Sequence, residues 1–337
     1  MNNFTNKRIA KFAGEQPTIT ATSYSGEFAG QYIAAALLSA NTLDKKLVTI
    51  MPNVKYKEVI QKVAQAGIVQ DASCDFVTSG SVTLTEQVIT PKELQVNLTL
   101  CKSQFVASWQ ALQLGYSAFD TIPKTFNDYL IGQVLAQIAA STETSIWQGP
   151  AVGAPTLEVS TNGNFVGFQA RLSGSIAAGG ATAVLPALTG SVIDSGSVTA
   201  ANVINKIGNV YNTIPNTVYG KEDLVIYVST NVAKAYQSAL GGNANQSGFN
   251  TQMNVGEKPF NFQGIEIVMC PGMSDNKMVA AQKSNLFFAT GLLSDYQEIK
   301  VLDMSDIDGS QNFRLVARYT AGTQFGIGQD IVYYGAY

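Results

Sequence analysis

The chain has 337 residues, enough for two ordinary domains or one elaborate one with a core that needs neither disulfides nor metal, and its net charge of −3 argues against tight electrostatic binding of nucleic acid. Only 13% of residues are charged, and no long apolar run explains that as membrane burial, so faces covered by copies of the same chain are the expected cause. Histidine is absent, which excludes Ser-His-Asp and Cys-His sites, imidazole zinc sites and the usual general base, and leaves carboxylate or lysine chemistry.

Residues 1–25 read as a polar, extended arm whose only charged cluster besides Glu15 is Lys7, Arg8 and Lys11. Such a stretch builds no core and is expected to be disordered or to order against a neighbour. An apolar run at 26–40 predicts a short helix that Asn41 to Asp44 bring to an end, and LVTIM at 47–51 predicts a strand. Residues 53–67 fit either a helix from Lys55 or an extended continuation of that strand.

After a Ser79-Gly80 turn, Val82 and Leu84 alternate with Ser81, Thr83 and Thr85. Past Pro91, Leu94, Val96, Leu98 and Leu100 alternate with Gln95, Asn97 and Thr99. Period two of this kind predicts long half-buried strands with one face on a core and one polar face. Residues 50–90 are then a projecting β-arm, and the strand after Pro91 returns to the body.

The clearest long helix spans 124–149. Thr125 is a good N-cap, with Asp128 three residues on. Phe126, Leu130, Val134 and Ile138 recur at i+4, and Ile131 and Leu135 widen the stripe. Gly149-Pro150 ends it, the glycine suited to a left-handed C′ position. At ~1.5 Å per residue the helix is a beam of roughly 35 Å.

Residues 173–197 are rich in Gly, Ala and Ser, as in a loop-heavy insertion or a closely packed surface. Thr199 is placed to cap a second helix with Val203, Ile204, Ile207, Tyr211 and Ile214 on one face. LVIYV at 224–228 predicts a buried strand, and Ser229 or Thr230 caps a third helix through Leu240 that Gly241-Gly242 close. With a further strand at 264–270, this alternation predicts an α/β subdomain over 151–290. Strands at 297–302 and 312–319 flank an Asp308-Gly309 turn, and 322–328 lead into a last strand at 330–334.

No motif carries chemistry. Asp306, Asp308 and Gly309 fall at the third, fifth and sixth positions of an EF-hand pattern, but Met304 and Leu315 occupy its first and twelfth, so a hairpin turn is expected. FGIGQD at 325–330 lacks the third glycine and the helix of a dinucleotide site. Cys74, Cys101 and Cys270 are widely spaced and read as buried free thiols of a reducing compartment; the N-terminus lacks the apolar core of a signal peptide. Glu86, Glu93, Asp295 and Glu298 are the carboxylates from which a hydrolase pair would have to come, and nothing in the sequence brings them together. No catalytic residue, cofactor or metal site is expected.

The order of elements, however, resembles the Hong Kong 97-like fold of tailed-phage major capsid proteins. The runs LTEQVITPKELQVNLTLCKSQFVASW (84–109), SAFDTIPKTFNDYLIGQVLAQIAASTETSIWQG (117–149), GEFAGQYIAAALLSANTL (26–43) and NFVGF (164–168) look like capsid proteins of crAss-like phages of Bacteroidetes hosts. The resemblance covers most of the chain and is weakest at 170–195. It implies an α+β fold with an N-terminal arm (1–25), a short helix and first strand (26–49), and an extended loop (50–90). A peripheral domain (91–150) with its spine helix at 125–148, an axial domain (151–290) and C-terminal strands (291–337) returning to the peripheral domain complete it.

It also implies a structural role and no enzyme activity. Hexamers and pentamers of this chain would close an icosahedral shell around double-stranded DNA, assembled in the host cytoplasm with a portal, separate scaffolding and decoration proteins. A long cleaved scaffolding segment of the kind some relatives carry is not expected, because the fold starts by Gly26. Covalent Lys-Asn cross-links are not expected either, for want of an identifiable acid beside such a pair. The competing readings are a tail or baseplate protein, which would be smaller and nearly all-β, and a histidine-free carboxylate hydrolase.

Overall fold

A computed structural model describes residues 22–25, 41–54, 56–66, 80–101, 126–149, 165–180, 183–189, 192–194, 196–242, 260–291, 298–304 and 312–335, with a few single positions between them. The expected helix at 26–40, the Thr125 cap, the Asp308-Gly309 turn and most of the N-terminal arm lie outside these residues. The chain forms two compact units, one from residues 1–36, 93–139 and 292–319, the other from 37–92, 140–291 and 320–337.

In the first unit the strands are antiparallel. β1 (Thr22–Ser25) pairs with β14 (Glu298–Asp303), Thr22 opposite Val301, and β14 pairs with the first half of β15 (Asn312–Phe325), Ile299 opposite Ala317. β5 (Lys92–Cys101) also pairs with β15. The end of the expected arm is therefore a strand held by its own chain. Phe313, Leu315, Ala317 and Tyr319 are buried while Arg314 and Arg318 between them are exposed. From Ala321 onward every residue of β15 is buried, as befits a strand covered on both faces. The long helix is α2 (Phe126–Gln148), which begins in this unit and ends in the second; Val134 and Ile138 of the expected stripe are buried.

The second unit holds a six-stranded mixed sheet in the order β10-β11-β9-β12-β16-β6. Here β6 is Leu185–Pro186, β9 Leu224–Val228, β10 Phe260–Phe262, β11 Ile265–Met269, β12 Met278–Gln282 and β16 Val332–Tyr334. β9 and β11 are parallel, Ile226 opposite Ile267, and the connection between them carries helix α5 (Thr230–Gly242). Helix α4 (Val203–Thr213) packs against α5, and Val203, Ile207 and Val210 meet Ile226, Val232 and Tyr236 in one buried cluster. β7 (Leu188–Thr189) and β8 (Val192–Ile193) form a small separate pair.

Several expectations are corrected. β16 was expected outside the α/β subdomain but is an interior strand of its sheet, antiparallel to β12 and parallel to β6. β13 (Leu286–Thr290), expected within that subdomain, instead pairs with residues 321–325 of β15 and lies parallel to β2 (Thr49–Pro52). Both strands are apolar on both faces, so either sheet could have taken them on local grounds. The first six residues of the supposed loop at 173–197 belong to helix α3 (Phe168–Ala178). α4 starts at Val203 rather than Thr199; Thr199 contributes its backbone carbonyl to the Val203 N–H at 2.9 Å, and Val210 takes the buried place expected for Ile204. Asn41–Asp44 is a helical turn, α1, rather than a stop, and the chain leaves it through Lys46 at φ 51°. α5 runs through Gly242, past the expected end at Leu240.

Gly149 does end α2, but not through left-handed backbone. A Cβ there would sit 1.9 Å from the Phe165 carbonyl oxygen, and the Gly149 carbonyl accepts the Gly167 N–H at 3.0 Å. Close approach of two backbones dictates the residue.

Candidate functional site

Of the two readings of 53–67, the extended one holds for residues 58–66. β3 (Glu58–Ala66) pairs antiparallel with β4 (Ser81–Ile89) in unbroken register from Glu58 opposite Ile89 to Ala66 opposite Ser81. A two-stranded ribbon of this length is marginal alone in water and needs packing to persist. At its root that packing exists: Ile89 is fully buried with Val54 and Ala289, and Ile60, Met51 and Phe287 pack around them.

The opposite face is apolar and uncovered. Val59 pairs with Val88 on it, Gln61 with Glu86, and Leu84 and Val82 follow in register. Val59 is 46%, Val88 38%, Leu84 52% and Val82 66% exposed. Gln61 Nε2 donates to Glu86 Oε1 at 2.9 Å in its middle. The sequence expectation put Val82 and Leu84 on a core and their Ser and Thr neighbours in solvent. The alternation is real, but the apolar side points outward, because the register set by the buried Ile89 and the partly buried Ile60 gives the body the other face. Exposed apolar side chains on both sides of that polar pair make this face a candidate interaction surface.

Among the described residues no group of three or more Cys, Asp or Glu is placed to hold a metal ion, and no helix is long and apolar enough to cross a membrane. Glu86 is committed to Gln61, Glu93 is exposed on β5, Glu298 stands opposite Ser25 in the β1–β14 pair, and Asp295 lies outside the described residues. Gly328–Asp330 of the FGIGQD run form a 3₁₀ turn. Cys270 is a buried free thiol, pushed well above its usual pKa by burial and then by the nearby Glu143 carboxylate; Cys74 is exposed and Cys101 half-buried, against expectation.

The polar groups that are buried serve architecture. Asp194 binds Lys206 Nζ at 2.5 Å and Asn209 Nδ2 at 2.7 Å, tying the residue after β8 to α4. Trp147, fully buried in the last turn of α2, packs on Phe168 and Tyr227 with ring centroids 5.5 and 5.4 Å away, and the Tyr227 hydroxyl donates to the Leu47 carbonyl at 2.6 Å.

No protein-family model matches the sequence, and no curated protein is similar to it. Solved structures do share the fold. The capsid chain of an empty GTA particle superposes with a TM-score of 0.58 at 11% identity, covering 100% of both chains. A chain of the cyanophage A-1(L) capsid gives 0.55 at 11% identity over 88% of this chain and 92% of that one. The procapsid of satellite phage P4 gives 0.51 at 12% identity, over 91% and 99%. The fold is thus a mixed α and β fold similar to that of phage capsid chains.

Proposed function

We propose that this chain is a major capsid subunit whose hexamers and pentamers close an icosahedral shell around double-stranded phage DNA. The observation that carries the reading is an outward apolar ribbon on a capsid-like fold: Val59, Val82, Leu84 and Val88 need a cover that the described residues do not supply. A second copy of the chain supplies it when the ribbon lies over its neighbour. In this reading α2 is the spine of a peripheral domain, the sheet from β6 to β16 is the core of an axial domain, and residues 1–25 are an arm. The 13% charge content and the net charge of −3 suit a shell that packs against itself and does not grip its genome.

The sequence runs quoted above favour a crAss-like phage as the source, assembly in the bacterial cytoplasm, and a portal, a separate scaffold and decoration proteins as partners in the virion. The 23-residue helix α2 and the α/β sheet disfavour a nearly all-β tail tube. Light scattering with negative-stain electron microscopy on the purified chain, co-expressed with its phage partners, tests the proposal. Shells, rings of five or six, or curved sheets are expected; a monomer that stays monomeric with those partners overturns it.

A further inference from the structure

One buried side chain stands out in the second half of β15. Its neighbours there are small or apolar or, like Thr323, satisfied locally by the Val166 carbonyl at 2.6 Å, whereas Gln324 is a long amide only 6% exposed. A buried amide is costly unless both its ends are used. Both are: Gln324 Oε1 accepts the Phe325 N–H at 3.2 Å, and Nε2 donates to the Val88 carbonyl of the ribbon at 2.9 Å. Val88 is the partner of Val59, the pair at which the outward apolar face begins.

The residues either side of Gln324 meet both legs of the ribbon. A Cβ on Gly322 would lie 3.0 Å from Pro91 Cα and 3.2 Å from the Thr90 carbonyl, so the leg leaving β4 runs directly against it. A Cβ on Gly326 would press on Asn285 Oδ1 at 2.8 Å and Phe287 Cε2 at 3.2 Å, and Ile60 Cγ2 on the leg formed by β3 lies in ordinary contact distance at 3.7 Å. Asn285 clamps the far end: its Oδ1 accepts the Ile327 N–H at 2.7 Å, its Nδ2 donates to the Ile327 carbonyl at 2.9 Å, and its own carbonyl accepts the Gly326 N–H at 3.0 Å. Pairing with β13, Phe287 opposite Gln324, holds the remainder.

We infer that residues 322–326 are a seat fixing the direction in which the ribbon leaves the body, with Gln324 as its positioning residue. Gly322 lets the leg leaving β4 lie close, Gly326 leaves room for the Asn285 clamp beside the β3 leg, and the Gln324 amide locks the β4 leg at a set height. Resting on the capsid reading, the inference assigns to this seat the angle at which one copy's ribbon meets the next, and with it the curvature of the assembly.

Two variants of the full chain test it. Gln324→Met keeps the length and loses the donor. Gln324→Glu presents a carboxylate to the Val88 carbonyl when ionised and regains an O–H donor on protonation, which burial raises above the ordinary glutamate range and which is complete by about pH 4. In the unassembled chain, hydrogen exchange at residues 58–60 and 88–90 is expected to rise about tenfold in Gln324→Met while residues 224–228 keep wild-type protection. Assembled products are expected to spread in diameter or stay open, at a melting temperature close to wild type. Gln324→Glu is expected to do the same at pH 7.5 and to return toward the wild-type product at pH 4, against a wild-type control at each pH. Unchanged exchange at the ribbon root, or wild-type diameters in both variants, overturns the inference. Failure of the wild-type chain to assemble would strike the capsid reading instead, and the exchange experiment alone would then judge the seat.

Discussion

The carboxylate of Glu143 accepts two hydrogen bonds from Thr42, from its backbone N–H at 2.8 Å and from its hydroxyl at 2.7 Å. The same hydroxyl accepts the Trp147 indole N–H at 2.9 Å, so the last turns of α2 and the first turn after residue 40 share one buried network. Gln148 extends it with a bond to the Gly272 carbonyl at 2.8 Å, and a Cβ on Gly272 would lie 2.1 Å from the Glu143 carbonyl oxygen.

Glu143→Ala leaves a buried N–H and a buried hydroxyl without their acceptor and is expected to cost about 3 kcal/mol. Trp147→Phe loses one donor and leaves a small cavity between Phe168 and Tyr227, and is expected to cost about 2–3 kcal/mol. Because Thr42 serves both, urea titrations of the single and double variants should be non-additive by at least ~0.5 kcal/mol. Strict additivity would show that the network does not act as a unit.

The outward ribbon separates folding from assembly. Val82→Ser with Leu84→Gln removes apolar atoms that are already in water, so the melting temperature is expected to stay within a degree or two of wild type. The contact with a second copy loses about 3 kcal/mol, which raises the concentration needed for assembly more than a hundredfold. Light scattering against protein concentration reads it.

The glycine within α2 and the one just past its end are expected to answer the same substitution with opposite signs. Gly132 is exposed in mid-helix with nothing within 4 Å of an added Cβ, so Gly132→Ala should gain about 0.5–1 kcal/mol. Gly149→Ala drives a methyl to 1.9 Å from the Phe165 carbonyl oxygen and should cost more than ~3 kcal/mol or abolish folding. Thermal melts of the two variants decide it.

Burial raises the pKa of Cys270 and of the Tyr227 and Tyr333 phenols above their ordinary values. The unfolded chain releases those protons from about pH 9 upward while the folded chain keeps them, so fewer protons are bound unfolded and stability falls as pH rises. Urea midpoints are expected to be level between pH 7 and 8 and to drop by pH 10.5, less steeply in Cys270→Ala. In the same folded chain a thiol reagent should label Cys74 rapidly and Cys270 only on unfolding.

Much of the local structure was legible in the residues themselves. LVIYV at 224–228 is a strand buried along its whole length, and the i+4 stripe of Val134 and Ile138 marks a helix ending at Gln148. The period-two runs on either side of Pro91 are strands. These follow from backbone geometry acting over a few residues, which sequence spacing records directly. The same stripe continues through Thr142 and Ile146, and beside it through Glu143 and Trp147, so the spacing also marked the buried polar residues, though polarity argued for solvent.

What needed the tertiary structure was every choice between equivalent local solutions. Period two shows that a strand has two faces, but only the burial of Ile89, with Ile60 packed beside its cluster, decides that Val82 and Leu84 face outward. An apolar strand such as β13 or β16 fits either sheet, and partners distant in the sequence decide which. Gln324 carries no local sign of importance; its place is set by a carbonyl 236 residues away in the chain, and spacing along a sequence cannot encode a contact of that range.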